Sequence, residues 1–253
     1  GSTGPPKGVL YRHGNFGAQV DEIRDQYNIQ PGEVDLACFP LFGLFNCAMG
    51  VTTVIPELDA ARPASVDPLT LLRTVDDLGV TQSFGSPAIW NRVSRYCRQR
   101  GVRMASLQRV LSAGAPVSPE VLEMTVASIG EGGEVHTPYG ATEALPVATI
   151  SAREVLDETA AQTRAGAGTC VGRRYPGIEW RVIRIVDGPI RSLAETKTLP
   201  PGEIGELIVS GPVVTREYVK PPEANERGKI YERGTVWHRM GDVGYLDAEE
   251  RFW

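Results

Sequence analysis

The residues best suited to chemistry lie in one pentapeptide, residues 139–143 (Tyr-Gly-Ala-Thr-Glu). Tyr139 offers an aromatic face, Gly140 leaves the backbone without a side chain, Thr142 adds a hydroxyl and Glu143 a carboxylate. An adenine nucleotide needs such groups close together: a ring to stack on, close backbone approach, a donor to phosphate and an oxygen ligand for Mg²⁺. A turn that runs into a helix can have the same sequence, so the pentapeptide predicts a site only together with other motifs.

A second stretch, residues 1–8 (Gly-Ser-Thr-Gly-Pro-Pro-Lys-Gly), combines hydroxyls, backbone N–H groups and one ammonium. Ser2, Thr3, Gly4 and Lys7 therefore suit the oxygens of a phosphate chain, and a plain linker is the alternative. A Walker A loop has glycine before its lysine and Ser or Thr after it, whereas here proline precedes the lysine and glycine follows. The pattern excludes a P-loop ATPase.

Composition narrows the class of protein. The 253 residues are 42% hydrophobic, which is enough for a core in one large domain or two lobes. The net charge of −5 argues against a nucleic-acid or anionic-membrane surface. No apolar run reaches the length of a bilayer span, and no signal peptide is visible. The four cysteines, at 38, 47, 97 and 170, form no metal-ligand pattern, so we expect buried thiols in the cytoplasm.

Hydrophobic periodicity predicts the elements that position these motifs. The predicted strands are 35–41, 52–55, 80–84, 108–113 and 134–137, and the predicted helices are 14–28, 71–78, 89–97 and 121–129. Strand–helix repeats require crossover connections, so we predict an α/β fold with a mostly parallel sheet and flanking helices. Ligands bind at the carboxyl ends of such strands, where small-residue turns at 83–87, 112–116 and 137–140 predict a crevice.

The pattern changes after about residue 165. Strand signals at 182–186, at 205–210 and around residue 245 are separated by Gly and Pro turns, and helix signals almost disappear. We therefore predict an α/β subdomain at 1–164 and a smaller β-barrel-like subdomain at 165–253, with residues 159–168 as the connector. The chain begins inside a glycine-rich motif and stops inside a predicted strand, so we expect a fragment that is truncated at both ends.

Taken together, these motifs resemble those of the adenylate-forming enzymes, which include acyl-CoA synthetases, peptide-synthetase adenylation domains and luciferases. The motifs that carry the resemblance are residues 2–8, 112–116 (Ser-Ala-Gly-Ala-Pro), 139–143, 205–207 (Gly-Glu-Leu) and 241–242 (Gly-Asp). Within that superfamily the chain is most similar to the β-lactone synthetases of bacterial olefin biosynthesis. The segments that carry the narrower resemblance are 39–42, 84–88, 137–150, 165–172 and 238–242.

The resemblance implies a role for each motif residue. Those implied to contact the nucleotide are Ser2, Thr3, Gly4, Lys7, Gly114, Ala115, Pro116, Thr137, Tyr139, Gly140, Thr142 and Asp242. Lys7 would act on the β- and γ-phosphates of ATP, Thr142 on the α-phosphate, and Glu143 would bind Mg²⁺; these three would be the catalytic residues. Tyr139 would stack on the adenine that residues 114–116 flank, and Asp242 would accept from both ribose hydroxyls.

The implied activity is ATP-dependent conversion of a carboxylate to an acyl-AMP and pyrophosphate. The implied substrate is a long-chain 2-alkyl-3-hydroxy acid that closes to a β-lactone as AMP leaves. A fatty acyl-CoA synthetase, which would use CoA, and a non-catalytic nucleotide-binding relative are the alternatives. The resemblance also implies association with other enzymes of the pathway. Because the catalytic lysine of the small C-terminal domain is missing, we expect the fragment alone to be inactive.

Two departures from the family pattern stand out. Gly43 occupies a position where the family often has His or an aromatic, which suggests space for a branched acyl group beside the apolar segment 39–42. Met240 replaces the usual Thr, and nothing in the sequence explains this. Lone histidines are more often structural than catalytic, so we expect structural roles for the three histidines at 13, 136 and 238. His136, next to the nucleotide turn, is the one to test.

Overall fold

The computed structural model describes residues 6–59 and 61–253, so Ser2, Thr3 and Gly4 lie outside the described residues. The strands are β1 Gly8–Val9, β2 Val34–Ala37, β3 Thr52–Val54, β4 Gln82–Gly85, β5 Arg109–Ser112, β6 Glu134–His136, β7 Tyr139–Ala141, β8 Ala144–Thr149, β9 Arg173–Arg174, β10 Glu179–Ile183, β11 Gly205–Ser210, β12 Tyr218–Lys220, β13 Lys229–Glu232 and β14 Thr235–Gly244. The α-helices are α1 His13–Tyr27, α2 Gly43–Met49, α3 Pro68–Leu78, α4 Pro87–Arg100, α5 Pro119–Ser128, α6 Ala152–Glu154, α7 Ala160–Arg164 and α8 Ala224–Gly228.

The chain divides into two compact units, each built from separate segments. We call them the β-rich unit, which comprises Gly1–Gln26, Tyr139–Thr149 and Cys170–Trp253, and the parallel-sheet unit, which comprises Tyr27–Pro138 and Ile150–Thr169. The chain passes from one unit to the other at four places. The single boundary near residue 165 that composition suggests stays a prediction.

The parallel-sheet unit contains a five-stranded sheet in the order β3-β2-β4-β5-β6, and every neighbouring pair is parallel. This confirms the predicted α/β architecture. Local sequence fixes where two crossover helices begin. The side chains of Asp67 and Ser118 accept hydrogen bonds from backbone N–H groups in the first turns of α3 and α5, and a proline follows each of them. A core that includes fully buried Trp90 and Val110 lies between the sheet and the helices.

The β-rich unit contains antiparallel sheets, as the change in pattern after residue 165 predicts. Four strands pair in the order β10-β11-β14-β13, three in the order β7-β8-β9, and β1 pairs with β12. Ile183, Ile208, Ile230 and Trp237 form the buried core of the four-stranded sheet. This sheet carries the Gly-Asp pair at 241–242 near the end of its longest strand.

Two local predictions are wrong. The expected connector at 159–168 is largely helical: a π-helical turn, Val155–Thr159, runs into α7. Ala160 and Ala161 favour helix, and the glycines at 166 and 168 lie beyond the end of α7. The strand predicted at 35–41 ends at Ala37, because Pro40 starts a short 3₁₀ turn, Pro40–Phe42, that leads into α2. Within the described residues, no helix is long and apolar enough to cross a membrane.

Candidate active site

The pentapeptide at 139–143 forms the tip of a β-hairpin. Strands β7 and β8 pair antiparallel with Ala141 opposite Ala144, so Thr142 and Glu143 are its two loop residues. Thr142 is exposed and Glu143 only 8% exposed, so the two side chains differ sharply in their access to solvent. Gly140 has a structural reason that we did not predict: a Cβ there would lie 2.8 Å from the carbonyl oxygen of Ala144. The hairpin itself therefore requires the missing side chain.

Two residues that follow β11 hold Glu143 in place. The Tyr218 hydroxyl donates to Oε1 of Glu143 at 2.6 Å. The backbone N–H and the hydroxyl of Thr215 both donate to the Glu143 carbonyl oxygen, at 2.9 and 3.0 Å. Burial acts to raise the pKa of Glu143, but the Tyr218 hydrogen bond, together with a backbone hydrogen bond, holds that pKa below its ordinary value. The carboxylate is therefore ionised at neutral pH.

Two lysines lie near the ring of Tyr218. The Lys7 ammonium is 5.2 Å from the ring centroid and the Lys229 ammonium is 5.5 Å from it. Lys7 is exposed, whereas Lys229 is only 2% exposed, and burial lowers the pKa of Lys229 to about 8. The motif lysine and a buried lysine thus both contact the aromatic ring that donates to Glu143.

A second contact joins the aromatic residue of the pentapeptide to the Gly-Asp motif. The Tyr139 hydroxyl donates to Oδ2 of Asp242 at 2.5 Å. Burial, followed by this hydrogen bond and the charge of Asp242, raises the pKa of Tyr139. Asp242 is exposed at the far end of β14, next to Gly241, whose φ of +75° suits glycine. Sequence reasoning named both residues, and the structure brings them together.

The other predicted nucleotide residues belong to the parallel-sheet unit. Gly114, Ala115 and Pro116 form an exposed turn after β5, and Gly114 has a φ of +93°. Thr137 follows β6, and its backbone N–H donates to the carbonyl oxygen of Ile150 at 2.9 Å. The turns at 83–87, 112–116 and 137–140 all follow carboxyl ends of adjacent strands, as expected. The nucleotide contacts of these residues stay predictions.

Two of the three histidines, His136 and His238, have structural surroundings. His136 is 3.2 Å from Glu134 and its ring packs 5.0 Å from that of Tyr27, while burial lowers its pKa. Nδ1 of His238 lies 2.8 Å from the carbonyl oxygen of Gly228. A carbonyl oxygen can only accept, so Nδ1 carries a proton and donates it to this hydrogen bond. Burial and then the charge of Lys229 lower the pKa of His238 to about 3, so it is neutral.

An aromatic cluster occupies the segment that we expect to contact the acyl group. The rings of Phe42 and Phe84 stack with centroids 3.7 Å apart, and Phe39 and Phe45 pack on Phe42. The interpretation of Gly43 needs correction. A Cβ at Gly43 would lie 2.8 Å from Cγ2 of Thr53, so the missing side chain makes room for β3 rather than for a substrate.

The described side chains suit a metal ion that is coordinated mainly by a bound substrate and only partly by the protein. Among residues 6–59 and 61–253, no group of three or more His, Cys, Asp or Glu side chains could bind a metal by itself. Mg²⁺ is usually held by one or two carboxylates together with substrate phosphates and waters. Glu143 fits this role because it is ionised and because the Tyr218 hydroxyl holds its Oε1 in place.

Sequence reasoning missed Thr215, Tyr218 and Lys229. None lies in a glycine-rich or acidic motif, and each contacts Glu143 or its partners only through the strand pairing of the β-rich unit. A lysine within an apolar β-pattern, as at Lys229 beside Ile230, was the one signal that could have identified a buried cation.

Comparisons with known proteins show which proteins the chain is similar to. The chain is 44% identical over its whole length to an olefin β-lactone synthetase of Stenotrophomonas maltophilia and 46% identical to one of Xanthomonas campestris. It covers 46% of each, and so spans about half the length of these curated relatives. The structure of o-succinylbenzoate coenzyme A synthetase from Bacillus subtilis in complex with ATP and magnesium has the same fold, with a TM-score of 0.78 at 23% identity over all of this chain and 47% of that one.

The match to a family model is equally extensive. The model for AMP-binding enzymes matches residues 1–219, which include the glycine-rich stretch, the hairpin at 139–143 and the β11–β12 segment that holds Glu143. This confirms the resemblance on which the residue assignments depend. The chain belongs to the family of AMP-binding enzymes.

Proposed function

We propose that the chain forms the nucleotide-binding part of an enzyme that activates a carboxylic acid with ATP. The observation that carries the proposal is the hydrogen bond between Tyr218 and Glu143, which fixes an ionised carboxylate at the hairpin tip. Exposed Thr142 precedes that carboxylate directly, and the Lys7 ammonium lies over the Tyr218 ring. A hydroxyl, a cation and a metal-binding carboxylate are what a triphosphate requires at one place.

In the proposed reaction an oxygen of the substrate carboxylate attacks the α-phosphorus of ATP. The new oxygen–phosphorus bond gives an acyl-AMP, and the bond between the α-phosphorus and its bridging oxygen breaks to release pyrophosphate. Thr142 donates to the α-phosphate, and Lys7 stabilises the charge that collects on the leaving pyrophosphate. A Mg²⁺ ion held by Glu143 and the phosphates would neutralise further charge. The protein supplies position and charge, without a covalent intermediate of its own.

Tyr139 and Asp242 supply the nucleoside end of the proposed site. The hydrogen bond between them aligns an aromatic ring with a carboxylate that can accept from a ribose hydroxyl. We propose that Gly114, Ala115, Pro116, Thr137 and Gly140 complete the adenine contacts in the assembled protein. We assign no catalytic step to His136 or His238, because both rings are packed within the fold.

The finer proposal is that the acid is a 2-alkyl-3-hydroxy acid whose own β-hydroxyl displaces AMP to give a β-lactone. Identities of 44% and 46% over the whole chain to olefin β-lactone synthetases support it. Attack within one molecule can correspond to effective molarities on the order of 10⁵ M or more, which offsets much of the strain of a four-membered ring. The aromatic cluster around Phe42 would exclude water, which would otherwise hydrolyse the acyl-AMP.

We also propose that the protein is cytoplasmic. The test of the proposed reaction compares the products that the full-length protein forms. With ATP and a 2-alkyl-3-hydroxy acid, AMP release should occur without CoA and should require the β-hydroxyl. A simple fatty acid that turns over equally well with CoA would instead favour an acyl-CoA synthetase. Absence of AMP release under every condition would favour the non-catalytic relative.

A further inference from the structure

Lys229 is one of the largest fully buried side chains of the protein, at 2% exposure. An ammonium removed from water without full compensation costs several kcal/mol or more, so such residues are rare in protein cores. Ion pairs between described residues have a nitrogen–oxygen distance of up to 4.0 Å, and none of them includes Lys229. Its partners are instead two oxygens of one residue, Thr215.

The direction of these hydrogen bonds connects Lys229 to Glu143. The Thr215 hydroxyl has one proton, which it donates to the Glu143 carbonyl oxygen at 3.0 Å. The same hydroxyl oxygen accepts from the Lys229 ammonium at 3.3 Å, and the Thr215 carbonyl oxygen accepts from it at 2.6 Å. A protonated lysine can only donate, so both oxygens of Thr215 are oriented by it. The chain of contacts runs from Lys229 through Thr215 to the backbone of Glu143.

The surroundings of Lys229 lead to the same carboxylate by a second route. Its ammonium lies 5.5 Å from the ring centroid of Tyr218, whose hydroxyl donates to Oε1 of Glu143. Strand pairing places Lys229 opposite His238, whose ring meets that of Tyr218 edge-on. Lys229 thus supports both segments that hold Glu143, the Thr215 backbone and the Tyr218 ring.

We propose that Lys229 is a positioning residue that holds Glu143 in the geometry required for Mg²⁺-dependent binding of ATP. The inference rests on the proposed function, in which Glu143 holds the cation. Removal of the ammonium would release both oxygens of Thr215 and one face of Tyr218 while leaving the Glu143 side chain intact. The expected consequence is a carboxylate that is present but less well oriented.

The test measures ATP affinity of the full-length protein by titration calorimetry, once in Mg²⁺ and once in EDTA. The ratio of the two affinities reports the contribution of the cation, which general loss of structure would not change selectively. We expect Glu143→Gln to abolish the Mg²⁺ advantage. Lys229→Met should reduce it by roughly 10-fold, and Thr215→Val, which removes only the hydroxyl link, by a smaller factor. Lys197→Met, at an exposed lysine of the same unit, is the control and should leave the ratio unchanged.

The double variant Lys229→Met/Glu143→Gln decides whether the lysine acts through the carboxylate. ATP affinities in Mg²⁺ and in EDTA that equal those of Glu143→Gln alone support the inference, and a further loss of either affinity overturns it. If Glu143→Gln removes the Mg²⁺ advantage while Lys229→Met and Thr215→Val retain it, the inference fails and the proposed function stands. If Glu143→Gln itself retains the advantage, the cation role of Glu143 fails and the inference fails with it. Should Lys229→Met not fold, Thr215→Val decides the matter.

Discussion

The Tyr139 hydroxyl donates to Asp242 across 2.5 Å, so the aromatic and acidic motif residues act as one group. Burial and the charge of Asp242 raise the pKa of Tyr139, which keeps the phenol protonated at physiological pH. One oxygen of Asp242 is therefore already engaged. In the proposed ribose contact we therefore expect the other oxygen, Oδ1, to be the main acceptor.

Asp242→Ala should weaken ATP binding by roughly 10- to 100-fold, because a hydrogen bond to a charged group contributes about 1.5–3 kcal/mol. The loss should be much smaller for 2′-deoxy-ATP, which lacks one of the hydroxyls. Calorimetry with both nucleotides checks this in the full-length protein. Tyr139→Phe is the matched control: it keeps the ring, loses only the contact with Asp242, and should cost about 2- to 10-fold. Equal losses for the two nucleotides would remove Asp242 from the ribose.

Asp35→Asn should stabilise the protein at neutral pH. Burial is the main cause that raises the pKa of Asp35, to about 6, although Asn46 donates to its Oδ2 at 2.7 Å. A raised carboxyl pKa contributes stability below its ordinary value near 3.8 that is lost as the pH rises through 6. The neutral amide avoids this cost, so the variant should gain about 1–3 kcal/mol at pH 7.5 and little near pH 4.

Thermal unfolding midpoints of wild type and the Asp35→Asn variant at the two pH values check the prediction. Asp77→Asn, at an exposed position on α3, is the control and should show no comparable dependence on pH. A gain that is equal at both pH values would show that the effect does not come from ionisation.

Arg239→Met should destabilise the β-rich unit by about 3–5 kcal/mol, because it leaves a buried carboxylate without its partner. The Arg239 guanidinium donates to Glu206 at 2.6 Å, and both side chains are almost completely buried. It also donates to the carbonyl oxygens of Gly188 and Val186. Hydrogen exchange across β11 and β14 measures the loss. Arg184→Met, at an exposed arginine beside β10, should leave protection unchanged, and an equal effect of both variants would argue against the pair.

Gly140→Ala should distort the hairpin and weaken Mg²⁺-dependent ATP binding. The new Cβ would lie 2.8 Å from the carbonyl oxygen of Ala144 and 3.0 Å from Cβ of Leu145, so one strand must move. Gly14→Ala is the matched control, because a Cβ there meets nothing within 4 Å and α1 should gain about 0.5–1 kcal/mol. Calorimetry gives the affinity and hydrogen exchange over residues 141–144 gives the hairpin stability. An unperturbed hairpin in the first variant would contradict the packing argument.

Periodicity predicted the parallel sheet well because the crossover helices have buried apolar faces, and because Asp67 and Ser118 cap two of them. The chemistry that a nucleotide requires, together with the family resemblance, singled out Lys7, Thr142, Glu143 and Asp242, and their nucleotide contacts stay predictions. What the sequence could not provide was the set of contacts made by strand register. Lys229 opposes His238 only because β13 and β14 pair as they do, and no local pattern encodes that partner.

Composition was a poor guide in two places. The residues after Thr159, which we predicted as the connector, form α7 within the parallel-sheet unit. Gly43 was interpreted as an enlarged substrate pocket, yet its neighbour is the methyl group of Thr53. At α7 the helix propensity of alanine decides the local structure. At Gly43 the deciding contact comes from β3.

All the side chains that hold Glu143 belong to the β-rich unit, whereas the aromatic cluster around Phe42 and Phe84 belongs to the parallel-sheet unit. The residues that hold Glu143 and the aromatic cluster can therefore change independently in evolution. Under the proposed function, substitutions in the aromatic cluster replace none of the side chains that donate to Glu143, so the acid that is accepted could change while the proposed triphosphate site keeps its residues. This separation offers a physical reason why one nucleotide chemistry can persist while acyl specificity diverges.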